Sequence, residues 1–191
     1  MKTTVLTCLL LAALPAARAE RADSFQPTVI RAQDSVGSLV SKVNTLSGNV
    51  ELRRGTLLIT SDRGVVTEDA EGYQHIVMTA AQDGKPVCFR QKRDGGPNQW
   101  FEGQALRLEY DEKTETVDLQ SQAQVRRTSD GELTDEVSGE RIIYTSVTET
   151  YAVQQLPGGA AGGDRRGTMV LQPRKDPLLS PASATAANLS Q

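Results

Sequence analysis

Chemistry carried by side chains needs titratable or nucleophilic groups at workable spacing, and this chain offers few. His75 is its single histidine and lies in AEGYQHIVM with no second histidine or cysteine beside it to complete a zinc set. No G-x-S-x-G motif accompanies it, so a hydrolytic triad has no sequence signature here. Cys88 alternates with Val87 and Phe89 in a strand-like run whose one basic neighbour is Arg90, which reads as a small apolar strand residue and not an activated thiol. The acid pairs Asp111/Glu112 and Asp135/Glu136 fall in turn-like segments, where solvated charge is the default; a glycoside hydrolase would need such carboxylates facing one another across a cleft. PGGAAGGD (157–164) lacks the preceding strand, the following helix and the lysine of a phosphate cradle. These residues describe a non-enzyme with no catalytic residue, no metal site and no cofactor.

The elements that surround these groups carry more information. Lys2, the apolar run Val5 to Leu14 and the sequence ARAE form a secretory leader cleaved after Ala19, which leaves 172 of the 191 residues. No later stretch reaches the roughly 18–20 apolar residues of a membrane-spanning helix. Without Lys2 and Arg18 the 21 basic residues fall to 19 against 24 acidic ones, a net charge of about −5. That balance argues against a nucleic-acid partner, which calls for clustered excess cations. Cys8 leaves with the leader, so Cys88 has no disulfide partner in the chain, as suits a bacterial periplasmic protein.

Runs rich in Val, Ile, Thr and Tyr, such as TLLIT, PVCFRQ, ALRLEY, ETVDL and ERIIYT, favour strands throughout. DGKP (83–86), RDGGPN (93–98), YDEKTET (110–116) and SDGE (129–132) supply the Gly, Asp and Asn that tight connections require. The fold class is therefore all-β, an antiparallel roll, sandwich or barrel. LSGNVEL (46–52) resembles LQSQAQV (119–125) 73 positions later, and Gly103 and Gly139, 36 apart, each precede apolar residues at +3 and +5. A recurring β-unit of about 36 residues follows from that spacing. PGGAAGGD reads as a flexible loop, GTMVLQP (167–173) as a last strand, and residues 174–191 as a disordered tail outside a domain spanning 20–173.

Alternation assigns an apolar face to each strand: Val50 and Leu52, Leu57 and Ile59, Leu106, Leu108 and Tyr110, Ile142 and Tyr144, with Ala105, Arg107 and Glu109 opposite. Charges such as Arg107 and Glu109 would be costly against lipid, so the apolar faces point inward. With one Trp, three Phe and four Tyr, few rings are available to fill the interior or to form the aromatic girdles of an outer-membrane barrel, and an aliphatic lining is expected. Whether the hydrocarbon buried there is the protein's own or that of a passing lipid is open at this level.

QPTVIRAQD, LSGNVELRRGTLLITSDRGVVT, GKPVCFRQKRDG, FEGQALRLEYDEKTETVDLQSQAQV and VSGERIIY, in this order over residues 26 to 173, resemble the LptA family with its OstA-like fold. The resemblance implies an open-ended, twisted β-jelly roll with a hydrophobic interior. It implies a periplasmic bridge protein for lipopolysaccharide that holds the acyl chains of lipid A and joins head to tail. Its partners would be an inner-membrane transport complex and an outer-membrane translocon, with ATP spent elsewhere. Matching motif positions imply a lining that includes Thr28, Ile30, Phe89 and Tyr110. Three departures stand out: TSDRG where Ala-Asp is usual, Ser121 in place of a turn glycine, and Cys88 where Thr is common. The competing reading is a periplasmic β-sandwich that binds carbohydrate or protein, which surface aromatic residues would support.

Overall fold

A computed structural model of the chain describes residues 22–81, 85–94, 98–155 and 167–172. The leader, PGGAAGGD, the tail from 174 and parts of DGKP and RDGGPN lie outside these residues. Among the described residues twelve strands form one continuous antiparallel sheet. They are β1 (Val29–Arg31), β2 (Asp34–Ser38), β3 (Val43–Arg54), β4 (Leu57–Glu68), β5 (Gln74–Thr79) and β6 (Val87–Lys92), followed by β7 (Gln99–Ala105), β8 (Arg107–Asp111), β9 (Thr116–Ser129), β10 (Glu132–Thr145), β11 (Thr150–Gln154) and β12 (Thr168–Leu171). GTMVLQP thus supplies a last strand, as expected. YDEKTET and SDGE close the β8–β9 and β9–β10 hairpins, the latter on Asp130 and Gly131 at φ 52° and 83°, the conformation an Asp-Gly pair favours.

The four long strands give the sheet two arms. In the first arm β2 pairs the start of β3, which pairs the end of β4, then β5, β8, the start of β9, the end of β10, and β11. In the second β1 pairs the end of β3, then the start of β4, β6, β7, the end of β9, the start of β10, and β12. Where β3 and β9 pass between arms, two consecutive residues take positive φ: Gly48 and Asn49 at 74° and 47°, Ser121 and Gln122 at 63° and 58°. These hold the same positions within LSGNVEL and LQSQAQV. The 73-residue similarity is therefore a repeated bulge that swings a strand from one arm to the other. The left-handed conformation costs a residue with a Cβ about 1–2 kcal/mol, so Ser121 and Gln122 are held there by the pairing around them. The 36-residue spacing has no such counterpart, because the register aligns Ile142 with Leu119 and Leu108, not with Leu106.

Alternation also fails at one expected face. Ala105 is buried at the end of β7, Leu106 lies half-buried in a bend, and Leu108 and Tyr110 point inward from β8. The bend sits opposite the β9 bulge, where the Leu106 N–H donates to the Ser121 carbonyl and its own carbonyl accepts from Ala80. An unpaired residue on each side shifts the inward face by one, so Leu106 does not share a face with Leu108.

Both arms bury their inner faces against one core. In the second arm a single cross-strand ladder runs Ile30, Leu52, Ile59, Phe89, Gly103, Val125, Val137, Met169, one residue from each of the eight strands of this arm. In the first arm Leu46, Gly64, Met78, Leu108, Leu119, Ile142 and Val153 form a like ladder from β3 to β11. Burying each large aliphatic side chain contributes about 1.5–3 kcal/mol, so these ladders are the main favourable term in the fold.

Candidate functional site

The interior between the arms holds most of the residues assigned to it from sequence. Leu52, Ile59, Leu108 and Ile142 have no exposed surface; Val50, Leu57, Phe89, Tyr110 and Tyr144 are also buried. Thr28 and Ile30 are half-buried near one end, and Leu106 is displaced to the bend. The expected aliphatic lining needs correction, since the few rings gather inside. Phe101 and Tyr144 have centroids 4.2 Å apart, with Phe89 5.6 Å and Tyr151 6.5 Å from Phe101. They fill the half of the interior nearer β11. Gly103 belongs to the same packing, because a Cβ there would stand 2.3 Å from the Phe89 ring.

The outward faces are polar. Arg90 and Arg126 both reach Glu102, at 3.0 and 2.9 Å, Arg107 pairs with Glu109, and Arg141 donates to Asp118 at 2.8 Å. These pairs reach from partly buried carboxylates out to solvent-facing guanidinium groups and keep the outer faces in water. Concavities of about 180 and 520 Å³ lie on the outer face of the second arm around Arg90, Glu102 and Arg126. Trp100, the natural platform for a sugar ring, is covered by Arg90, whose guanidinium carbon is 3.8 Å from the ring centroid.

Each arm ends in hairpins, and the rims of the two arms meet through polar side chains. Arg54, at the β3–β4 turn of the second arm, is only 8% exposed. Its Nη1 donates to the Tyr110 hydroxyl at 2.9 Å and lies 3.4 Å from Glu112 on the first arm, while Nη2 donates to the Ser24 carbonyl. Its Nε is buried without a hydrogen-bond partner, a deficit worth about 1–3 kcal/mol. Burial pushes the Tyr110 hydroxyl above its usual pKa, with Arg54 partly opposing, so the ring meets Arg54 as a neutral acceptor. Farther along, Arg93 of the second arm bonds Glu149 of the first.

Residues 22–28 lie across this line of contact. A turn in which Phe25 N–H donates to Ala22 and Gln26 N–H to Asp23 presents the buried Asp23 carboxylate to Thr56, 2.7 Å from its N–H and 2.6 Å from its hydroxyl, and to Gln91 at 3.2 Å. Gly55, at φ 58°, leaves the space: a Cβ there would fall 2.0 Å from Asp23 Oδ1. On the other side the Thr28 hydroxyl donates to Glu112 at 3.3 Å.

Sequence reasoning missed Arg54 and Asp23 altogether. His75 is exposed, 3.5 Å from Glu109, and among the described residues no group of three metal-ligating side chains exists. Cys88, expected as a small buried or edge hydrophobe, is exposed on the outer face of β6, which pairs β4 and β7, because alternation about the inward Val87 and Phe89 turns it outward. Neighbouring atoms nevertheless exclude enough water to raise its thiol pKa, with Arg126 opposing. Cys88 should therefore react with iodoacetamide at pH 8 several-fold more slowly than free cysteine; a faster rate would mean an activated thiol.

Residues 29–150 match the family described as LptA/(LptD N-terminal domain) LPS transport protein. The chain is 30% identical over 140 residues to the lipopolysaccharide export system protein LptA of Escherichia coli K12, covering 73% of this chain and 71% of that protein. The LptA of Shigella flexneri matches to the same extent. Its fold is similar to that of LptH, the LptA-homologous periplasmic component of the lipopolysaccharide transport device of Pseudomonas aeruginosa, with a TM-score of 0.68 at 22% identity over 79% of this chain and 99% of that one.

Proposed function

The chain belongs to the LptA/LptD N-terminal family of lipopolysaccharide (LPS) transport proteins, and from that premise we propose that it is a periplasmic bridge protein whose apolar interior carries the acyl chains of lipid A between the inner and outer membranes. The observation that carries this reading is the apolar ladder from Ile30 to Met169, which crosses every strand of one arm and ends on an edge strand at each end. Such an interior lowers free energy by burying hydrocarbon, with no reactive group required. The function is carriage and not catalysis. The leader, removed after Ala19, would deliver the domain of residues 20–173 to the periplasm; N-terminal sequencing of the exported protein should begin at Glu20, and an intact Met1 would count against that route.

The lining would comprise Val50, Leu52, Leu57, Ile59, Phe89, Leu108, Tyr110, Ile142 and Tyr144, with Thr28 and Ile30 at one end and Leu106 at its margin. Head-to-tail assembly gives the ladder its continuation. β1 and β2 form one end of the roll and β11 and β12 the other, with Val29, Val36, Leu39 and Val40 exposed at the first and Val147, Met169, Val170 and Leu171 at the second. Pairing unlike ends extends the sheet, and because the contact is heterologous it continues into a filament. The terminal rolls would dock on an inner-membrane transport complex and an outer-membrane translocon. Photo-reactive groups at Leu108 and Phe89 should capture LPS in cells, whereas the same group at the outward Arg107 should not. Equal capture at all three positions, or none, would remove the interior as the lipid site.

A further inference from the structure

The interior just described is full, so a lipid that enters it must move something. Leu52, Ile59, Leu108, Leu119 and Ile142 have no exposed surface. Away from the two ends of the roll, the weakest boundary of this core is the line along which the rims of the two arms meet. Covalent continuity and strand pairing hold the arms together on the bulge side. On the rim side they are joined by side chains: Arg54 with Tyr110 and Glu112, and Arg93 with Glu149.

Resting on the carriage reading above, we propose that this line is a lateral port for acyl chains and that residues 22–28 are the strap that closes it, with Asp23 as its anchor and Arg54 as the clasp beneath. Three features support the assignment. The strap touches both rims, Asp23 bonding Thr56 and Gln91 of the second arm and Thr28 bonding Glu112 of the first. The site is built to receive it, since the Asp23 carboxylate occupies the volume a Cβ at residue 55 would fill. The strap brings little apolar grip, Phe25 being 87% exposed, so its hold is a set of hydrogen bonds that water can replace. A polar, rim-side closure over a packed apolar core opens without breaking any strand ladder, which is what repeated loading and unloading requires. Arg54 is suited to the clasp because its unpartnered Nε leaves the closed state incompletely satisfied. Glu112 and the Ser24 carbonyl hold the guanidinium in place, and the carboxylates of Glu112 and of Asp23 on the strap, with Glu115 acting on the neighbouring Tyr110, make the port inhospitable to a phosphate. The chains therefore enter here, and the anionic head group stays outside.

The test uses the exported chain from Glu20 with Cys88 replaced by Ser and the pair Asp23→Cys and Thr56→Cys introduced. Mild oxidation should join the two thiols, and failure to form the disulfide would overturn the placement of the strap. Uptake of a fluorescently labelled lipid A is then followed by stopped-flow fluorescence. The oxidised form should load about tenfold more slowly than the parent, and the reduced form, which lacks the Asp23 bonds, faster than the parent. Adding reductant to the oxidised form should restore the fast rate. Equal rates in all forms would overturn the port while leaving carriage intact, because lipid would then enter by the ends of the roll. No lipid binding in any form would overturn both readings.

Discussion

Replacing Phe101 with alanine should lower the unfolding free energy by about 3–5 kcal/mol and the melting temperature by roughly 10 °C or more, the largest loss expected from any single truncation in this chain. The ring is 2% exposed and lies against Phe89, Tyr144 and Tyr151, which come from three other strands of the two arms. Its removal leaves a void that backbone pairing on both sides of β7 prevents from collapsing, since Gln91 and Arg127 fix the neighbouring strands. Phe25→Ala removes the same side chain from an 87% exposed site and should change stability by no more than about 0.5 kcal/mol. Thermal unfolding of the two variants beside the parent decides the matter. If both melt with the parent, the aromatic cluster is not what joins the arms. The same void suits a transport reading, because the rings occupy the space that hydrocarbon would enter; lipid should raise the melting temperature of Phe101→Ala more than that of the parent.

The sequence showed the strands and their inward faces because alternation is a local property, and Leu52, Ile59, Leu108 and Ile142 lie where alternation puts them. The bulges are not read from the sequence; the 73-residue similarity marks their two positions but reads there as a recurring unit. Gly48-Asn49 is a recognisable left-handed pair, but Ser121-Gln122 is not, and only its likeness to the first ties it to the same conformation. The displaced face at Leu106 had no signal of its own, since the cause lies across the sheet at Ser121. Composition counted the rings correctly and placed them wrongly. A small number of aromatics says nothing about whether Phe89, Phe101, Tyr144 and Tyr151 converge, and four residues on four strands meet only through topology. Arg54 was hidden for the same reason: its partners Tyr110 and Ser24 are 56 and 30 positions away, and a turn arginine looks solvated until the opposing rim is in place.

Assembly is open to a sharper test than loss of oligomers, because the hydrogen-bonding direction of each edge strand follows from the register. Gln172 N–H donates to Thr134 of β10, so in β12 the N–H groups of Thr168 and Val170 also face β10, and those of Met169 and Leu171 face outward. Gln33 N–H donates to Gly48 of β3, so Val36 N–H faces outward from β2. Met169→Pro and Val36→Pro each remove an outward donor while leaving the ladder to the neighbouring strand intact, which is where an edge strand tolerates proline. The parent should form a ladder of oligomers by sedimentation, and neither variant alone should self-associate at the same concentrations. Mixed in equal amounts they should form a dimer that does not grow, since one partner keeps its β11–β12 end, the other keeps its β1–β2 end, and the remaining ends are blocked. A symmetric contact between like ends predicts something different: one of the two variants would then dimerise by itself. Oligomers that persist in both single variants would mean that the sheet edges are not the contact. A mixture that stays monomeric would mean that the unlike ends do not meet through these edges, and that the apolar interior does not continue from one roll into the next.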